Sequence, residues 1–395
     1  MGDDRAKEPF LVFGAPAIEQ DEIDEVIDTL RSGWLGTGPR TARFEEEFAA
    51  YRGARHTAAV NSCTAAMHLA LVALDLQPGD EVITTPVTFA STANAIIHAG
   101  GTPVLADVDA QTMNLDMERV ADAIGPRTRA ILPVHLAGRP VDLDTLMDLA
   151  ERHDLEIIED CAHAIEATYR GRAVGTFGRY GCFSFYVTKN LTTVEGGMVI
   201  ARDAEDIDNI KILALHGMSR DAWKRFSDAG YKHYYVVGAG FKYNMTDLQA
   251  AIGLHQLRRI EQNLKRREAI WRLYMEALAD LPLQLPAPVD DGSLPEDSRH
   301  ARHLFTILVD EQRTGISRDD FLGEMTKLGI GVGVHYLSLP EHPYYQEHFG
   351  WRPEDHPEAM RIGRQTVSLP LAPWMETPHV ERVVRAVRSV LGRGR

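Results

Sequence analysis

Between Thr57 and Arg202, short β-forming runs alternate with segments of helical period, and no other feature restricts the fold of this 395-residue chain as strongly. The strand-like runs are Thr57–Val60, Glu81–Thr84, Pro103–Asp107, Ala130–Val134, Leu155–Glu159, Cys182–Tyr186 and Met198–Ala201. Helical patterns fall at Thr64–Leu76, Ser91–His98, Asp116–Ile124 and Leu143–His153. Such alternation predicts an α/β fold: a mostly parallel sheet covered by helices on both faces, a three-layer sandwich. Ligands of such sheets collect at strand ends and in the loops that follow them.

The rest of the chain predicts a smaller C-terminal α/β domain. Its signals are a strand over His303–Asp310, a helix over Arg318–Leu328, a strand over Gly331–Tyr336 and a final helix near Pro378–Leu391. A long helical pattern, Thr246–Leu281, carries a capping-box signal in Thr246 and Gln249. The expected division is a large domain over 1–255 and a small one over 256–395. PLQLPAPVDDGSLPEDSRHAR reads as an exposed connection, and His216–Asn244 as a long aromatic and cationic loop of functional type.

Net charge is −15 and no long basic run occurs, which argues against nucleic acid or an anionic membrane as main partner. The apolar run Ala65–Leu74 is too short to span a bilayer. Three scattered cysteines, Cys63, Cys161 and Cys182, predict no disulfide framework, and no Cys or His spacing suggests a metal. A reducing cytoplasm is the expected home.

Four short stretches carry the chemistry. In VNSCTAAMHLAL a strand runs into a helix through Ser62, Cys63 and Thr64, so free N–H groups and the helix dipole offer an anion site, although Ser62 as a simple N-cap explains the same residues. In LEIIEDCAHA the pair Glu159–Asp160 ends a strand, and one of the two is ordinarily solvated. An inward Asp160 needs a positive partner, such as a protonated pyridine nitrogen, with His163 beside the same ring. Phe89, in TTPVTFAST, is either core or a cover for one face of a flat ring. SFYVTKNLTTVEGG places Lys189 past a strand, followed by hydroxyls and a diglycine that permits close backbone approach. A lysine for an aldehyde cofactor, a carboxylate for its ring nitrogen and a helix start for its phosphate are what a protein contributes to pyridoxal 5′-phosphate (PLP) chemistry.

With these stretches GWLGTGPRTARFEEEFA, AILPVHLAG and GFKYNMTDLQAAIGLHQL complete a pattern that resembles the DegT/DnrJ/EryC1/StrS family of sugar aminotransferases over nearly the whole chain. The resemblance implies the fold-type I, aspartate-aminotransferase-like architecture. It implies Lys189 as the Schiff-base lysine, Asp160 as partner of the pyridine nitrogen, His163 near the ring's phenolic oxygen and Phe89 stacked on the ring. It further implies a phosphate site made by Cys63, Thr64 and Ser184, with Asn244 contributed by the second subunit of a homodimer. HLFTILVDEQRTGISRDDF and GIGVGVHY are similar to the UDP-4-amino-4-deoxy-arabinose aminotransferase branch, which aminates the C4 ketone of a nucleotide-linked sugar using glutamate. Phe89 stands where that branch often has Trp, Val194 where many relatives have Gly, and Thr246 where other branches carry Arg.

Expected substrate contacts are Lys232, His233 and Tyr234 in the long loop, with His335 and Tyr336 at a strand end of the small domain. A C3-keto sugar or cyclitol is the alternative substrate class. A PLP-dependent sugar dehydratase is a further alternative, against which Lys189 counts, since such relatives carry histidine there.

Overall fold

A computed structural model of the chain describes residues 8–219, 234–289 and 292–393. Its strands are β1 (His56–Val60), β2 (Glu81–Thr84), β3 (Thr102–Leu105), β4 (Thr128–Leu132), β5 (Glu156–Asp160), β6 (Thr168–Tyr169), β7 (Arg172–Ala173), β8 (Tyr180–Ser184), β9 (Gly197–Ala201), β10 (Phe305–Leu308) and β11 (Thr366–Leu369). Its first seven α-helices are α1 (Gln20–Ser32), α2 (Pro39–Arg52), α3 (Cys63–Ala73), α4 (Ser91–His98), α5 (Met117–Ala123), α6 (Leu143–His153) and α7 (Ala204–Ala214). Seven more follow: α8 (Asp247–Arg258), α9 (Ile260–Leu278), α10 (Glu311–Thr314), α11 (Arg318–Lys327), α12 (Pro343–Phe349), α13 (Pro357–Gln365) and α14 (Thr377–Arg393).

Seven strands form one sheet in the order β1-β9-β8-β5-β4-β2-β3. Only β9 runs against its neighbours, β1 and β8; the other pairings are parallel. Alternate residues feed two cores. Ile83, Ile131, Ile157 and Phe183 face a cluster with Phe44 and Phe48 of α2, Leu146 of α6 and Leu254 of α8. Val82, Leu132, Ile158 and Cys182 face the other, with Leu69 of α3, Ile96 of α4 and Ile210 of α7. Burial on both faces explains why these strands read as continuous apolar runs. The mostly parallel three-layer sheet expected from the alternation is present.

A third core joins α9, α11 and α14 to β10 and β11 around Trp271, Phe305, Phe321, Val367 and Val387. Here the structure departs from the expected elements. The single helix over Thr246–Leu281 is two, α8 and α9, divided at Arg259; its predicted start holds, since Thr246 and Gln249 form a reciprocal capping box. Gly331–Tyr336 is no strand: only Gly333 bridges Ser368, because the segment turns away to line the cavity described below. The strand partner of β10 is β11, whose TVSL lacked turn signals strong enough to mark it. The proline-rich connection is not simply exposed. Gln284 pairs with Leu308, Arg299 with Thr168, and Leu283, Leu294 and Ala301 are buried. Among the described residues, no helix is long and apolar enough to cross a membrane.

Candidate active site

The C-terminal ends of β5 and β8, the start of α3 and the loop before α4 surround a cavity of about 490 Å³. Cys63, Thr64, Phe89, Asp160, His163, Ser184, Lys189, His335 and Tyr336 all line it, so residues from five separated stretches meet there.

Asp160 ends β5 with its carboxylate buried. Oδ1 accepts the Ala162 N–H at 3.0 Å and Oδ2 accepts the Thr92 hydroxyl at 3.1 Å. Thr92 in turn lies 2.8 Å from the Thr88 hydroxyl, so donation runs Thr88 to Thr92 to Asp160. Burial nevertheless raises the Asp160 pKa above the usual carboxylate value, against these bonds and the charge of Lys189. A buried carboxylate in that state favours a cation beside it. Its neighbour Glu159 is not the solvated member of the pair. It is fully buried and accepts N–H groups of Gly175, Phe177 and Gly178 at 2.6–2.8 Å, with His135 Nε2 at 3.1 Å. Burial opposes the Glu159 charge, yet His135 and these N–H groups hold its pKa below the ordinary value. Glu159 therefore organises the loop before β8, leaving Asp160 to face the cavity.

Lys189 follows β8, and its N–H donates to the Tyr186 carbonyl at 2.9 Å. The side chain is half-buried and lines the cavity rather than the outer surface. Burial lowers its pKa to about 8, against the pull of Asp160 and Cys63. About a tenth of the amine is thus neutral at pH 7, far more than for an ordinary lysine, as a nucleophile or proton carrier requires.

At the start of α3, Ser62 is the N-cap: its Oγ accepts the Ala65 N–H at 3.1 Å. The first backbone bond of the helix is Ala66 N–H to the Ser62 carbonyl, so the N–H groups of Cys63 and Thr64 have no intrahelical acceptor. Capping and anion binding are therefore compatible readings of the same turn. Gly197 makes the close approach expected of the diglycine: a Cβ there would lie 2.5 Å from the Ser62 carbonyl carbon and 2.8 Å from the Cys63 nitrogen. The Cys63 thiol points at Asp160 Oδ1, 4.0 Å away, so Cys63 offers an anion its backbone rather than its side chain.

His163 accepts the Ala137 N–H on Nδ1 at 3.2 Å and lies 3.1 Å from the Tyr336 hydroxyl through Nε2. Burial, and then the positive charges near it, push its pKa well below the usual value, so the ring is neutral with its proton on Nε2. Tyr336 accepts that proton and keeps its own O–H for the cavity. Phe89 is 61% exposed, which excludes a core role, and its ring lies 6.0 Å from that of Tyr336. His335 Nδ1 is 2.9 Å from the Ser368 hydroxyl.

Two expected contacts, Asn244 and Tyr234, are not among the residues lining this cavity. Asn244 lies elsewhere in its own chain, donating to Thr37 Oγ1 at 2.7 Å and accepting from Lys242 Nζ at 2.6 Å. Tyr234 is exposed and outside the cavity lining, and Lys232 and His233 lie outside the described residues. Sequence reasoning missed Thr88 and Thr92, although hydroxyls clustered in TFAST ahead of α4 were a usable signal.

The arrangement fits PLP: a depressed lysine amine, a buried carboxylate in need of a cation, free N–H groups at a helix start and an exposed aromatic share one cavity. Residues 16–388 match the model of the DegT/DnrJ/EryC1/StrS aminotransferase family. The chain belongs to this family. It is 48% identical to the spore coat polysaccharide biosynthesis protein SpsC of Bacillus subtilis (strain 168), over 97% of each chain. Among solved structures it is similar to the putative sugar aminotransferase Spr1654 of Streptococcus pneumoniae. In its PLP-form that protein is 32% identical, has a TM-score of 0.89, and is matched over 98% of this chain and 100% of its own. Helicobacter pylori PseC, an aminotransferase involved in the biosynthesis of pseudoaminic acid, is 27% identical with a TM-score of 0.88, over 98% of this chain and 100% of its own. The fold is thus the fold-type I architecture of these aminotransferases, and the protein is a PLP-dependent transaminase.

Proposed function

We propose that the chain transfers an amino group to the C4 ketone of a nucleotide-linked keto sugar, with glutamate as donor. The observation that carries the transamination half is the convergence of Lys189 and Asp160 on one cavity. The sugar half is supported by the family and by the names of SpsC, Spr1654 and PseC. The C4 position and the nucleotide rest on the resemblance to the UDP-4-amino-4-deoxy-arabinose aminotransferase branch.

PLP, when bound, supplies the electron sink. Lys189 would anchor it and, as a neutral amine, would carry a proton within the cavity. Asp160, its carboxylate held by Thr92 and Ala162, would keep the ring nitrogen protonated. Phe89 would cover one ring face, and the N–H groups of Cys63 and Thr64, with Ser184, would hold the phosphate. Tyr336, held by the Nε2–H of His163, would present its hydroxyl to the oxygen side of the ring, and His335 and Tyr336, with Lys232, His233 and Tyr234 of the long loop, would receive the substrate.

The active form is a homodimer with composite sites. Asn244, absent from its own chain's cavity, belongs to the partner's. The exposed Trp34, Leu35, Tyr235, Val236 and Val237 are the apolar surface such a partner covers. We read 1–255 as the PLP-binding domain and 256–395 as the small domain.

The test is a panel of nucleotide-linked and free keto sugars, C3-keto sugars and cyclitols, incubated with glutamate or glutamine, with the product amine located by NMR. Amination at C3 or on a cyclitol, or deoxygenation without amination, overturns the reading. Borohydride should fix PLP to the peptide containing Lys189, and Lys189→Ala should lose turnover. Mixing Lys189→Ala with Asn244→Ala chains should restore part of the activity if Asn244 acts across the dimer.

A further inference from the structure

Behind Lys189 lies a buried polar chain that contributes no atom to the cavity lining described above except through His163. Arg267 of α9 donates Nη2 to Glu166 Oε1, and both side chains are almost wholly buried. Asn190, the residue after Lys189, donates Nδ2 to Glu166 Oε2 at 2.8 Å and to the Ala301 carbonyl at 3.1 Å. Its Oδ1 lies 2.9 Å from His303 Nδ1. The His303 ring packs on that of His163, with centroids 4.4 Å apart and planes inclined by 38°.

The hydrogen-bonding inventory allows one orientation only. The Glu166 carboxylate and the Ala301 carbonyl are acceptors, so the Asn190 amide nitrogen must face both. Its oxygen then faces His303, which must donate from Nδ1. Burial holds His303 neutral, with the charge of Lys189 acting in the same sense. The chain therefore joins four pieces of the protein: the loop after β5, the turn that carries Lys189, α9, and the segment entering β10.

We propose that Asn190, clamped by Glu166 and Arg267, is a positioning residue that sets the Lys189 amine in the cavity and, through His303, fixes the ring of His163. The physical reason is that Lys189 sits in a turn rather than in a strand. Its backbone is held by one bond to Tyr186, so the adjacent Asn190 side chain is the anchor that keeps the turn against the protein body. Loosening that anchor admits water to the amine, and relief of burial, the larger effect, raises its pKa despite the weaker pull of Asp160. The titratable groups facing Lys189 are Asp160 from β5, Cys63 from α3, His163 from the loop after β5, and His303 and His335 from the small-domain side.

The proposal rests on Lys189 being the reactive amine, and its test reads that amine without turnover. Competitive acylation of the full, PLP-freed chain across pH, followed by mass spectrometry of the Lys189 peptide, gives the midpoint of its titration. Wild type should titrate near 8. Asn190→Leu, of similar size but without hydrogen bonds, should raise the midpoint by about one unit and weaken PLP binding about tenfold. His303→Phe keeps the ring face against His163 but loses the donor to Asn190, and should shift the midpoint the same way by less. If Asn190→Leu does not fold, His303→Phe alone decides. A folded variant with an unmoved midpoint overturns the proposal. So does an equal shift in Met325→Ala, a buried change in the core beneath α9 that removes no member of the chain, because the shift would then report loosened packing. Borohydride fixing PLP to another lysine instead overturns the assignment of Lys189 itself.

Discussion

The Tyr336 hydroxyl stands 3.1 Å from His163 Nε2, joining the segment before α12 to the loop after β5 at the wall of the cavity. Because Ala137 donates to the other ring nitrogen, His163 gives its proton to Tyr336, and Tyr336 points its own inward. Tyr336→Phe removes both the acceptor for His163 and the inward donor. One neutral hydrogen bond contributes about 1 kcal/mol, so kcat/KM should fall about fivefold. PLP should remain fixable by borohydride at Lys189. Steady-state kinetics and an unchanged urea midpoint would separate this effect from misfolding.

Thr92→Val keeps the shape of the side chain but removes a bond to the charged form of Asp160. The carboxyl then becomes harder to ionise, and its pKa, already raised by burial, rises further. The acid limb of the kcat/KM profile should move to higher pH by about one unit, since a bond to a charged group contributes about 1.5 kcal/mol. A pH profile against wild type checks it; a shift to lower pH contradicts the role given to Thr92.

Several buried histidines are held neutral by the fold. Burial, then the charge of Lys189, lowers His335 to about 3, and His163, His300 and His303 are also pushed well below their usual value. Between the folded and unfolded pKa values the unfolded chain binds more protons. Stability from these groups is therefore present above about pH 6.5 and is lost as pH falls below it. Each contributes a slope of up to about 1.4 kcal/mol per pH unit in that window. Urea titrations of PLP-freed protein from pH 7 to 5 should show the loss, and His335→Gln should make it shallower.

Val194 has φ +72°, a left-handed backbone that a β-branched residue adopts at a cost. Its N–H is held by Thr192 Oγ1 at 2.9 Å and its side chain is exposed, so little packing offsets that cost. Val194→Gly should stabilise the protein by about 1 kcal/mol, read as a higher urea midpoint at constant slope. A lower midpoint would show that the exposed valine is covered in the assembled protein.

The alternation of strands and helices along the chain, the lysine after β8 and the carboxylate at the end of β5 were legible in the sequence. These signals are local: strand runs buried on both faces, helical period, a capping box, and small residues where a strand turns into α3. The two parts of the long helix and the turned-away segment before Tyr336 were not legible, because neighbours distant in the chain decide where such segments bend. The same holds for chemistry. Residue type and place marked Lys189, Asp160 and His163, but only tertiary packing put Thr92 on a carboxylate 68 residues away and Tyr336 on a ring 173 residues away. It also settled which member of Glu159–Asp160 faces the cavity, since the loop at Gly175–Gly178 takes up Glu159. Charge states follow the same rule. A lysine amine near 8 is the result of burial, and burial is a property of the whole fold rather than of any short stretch of it.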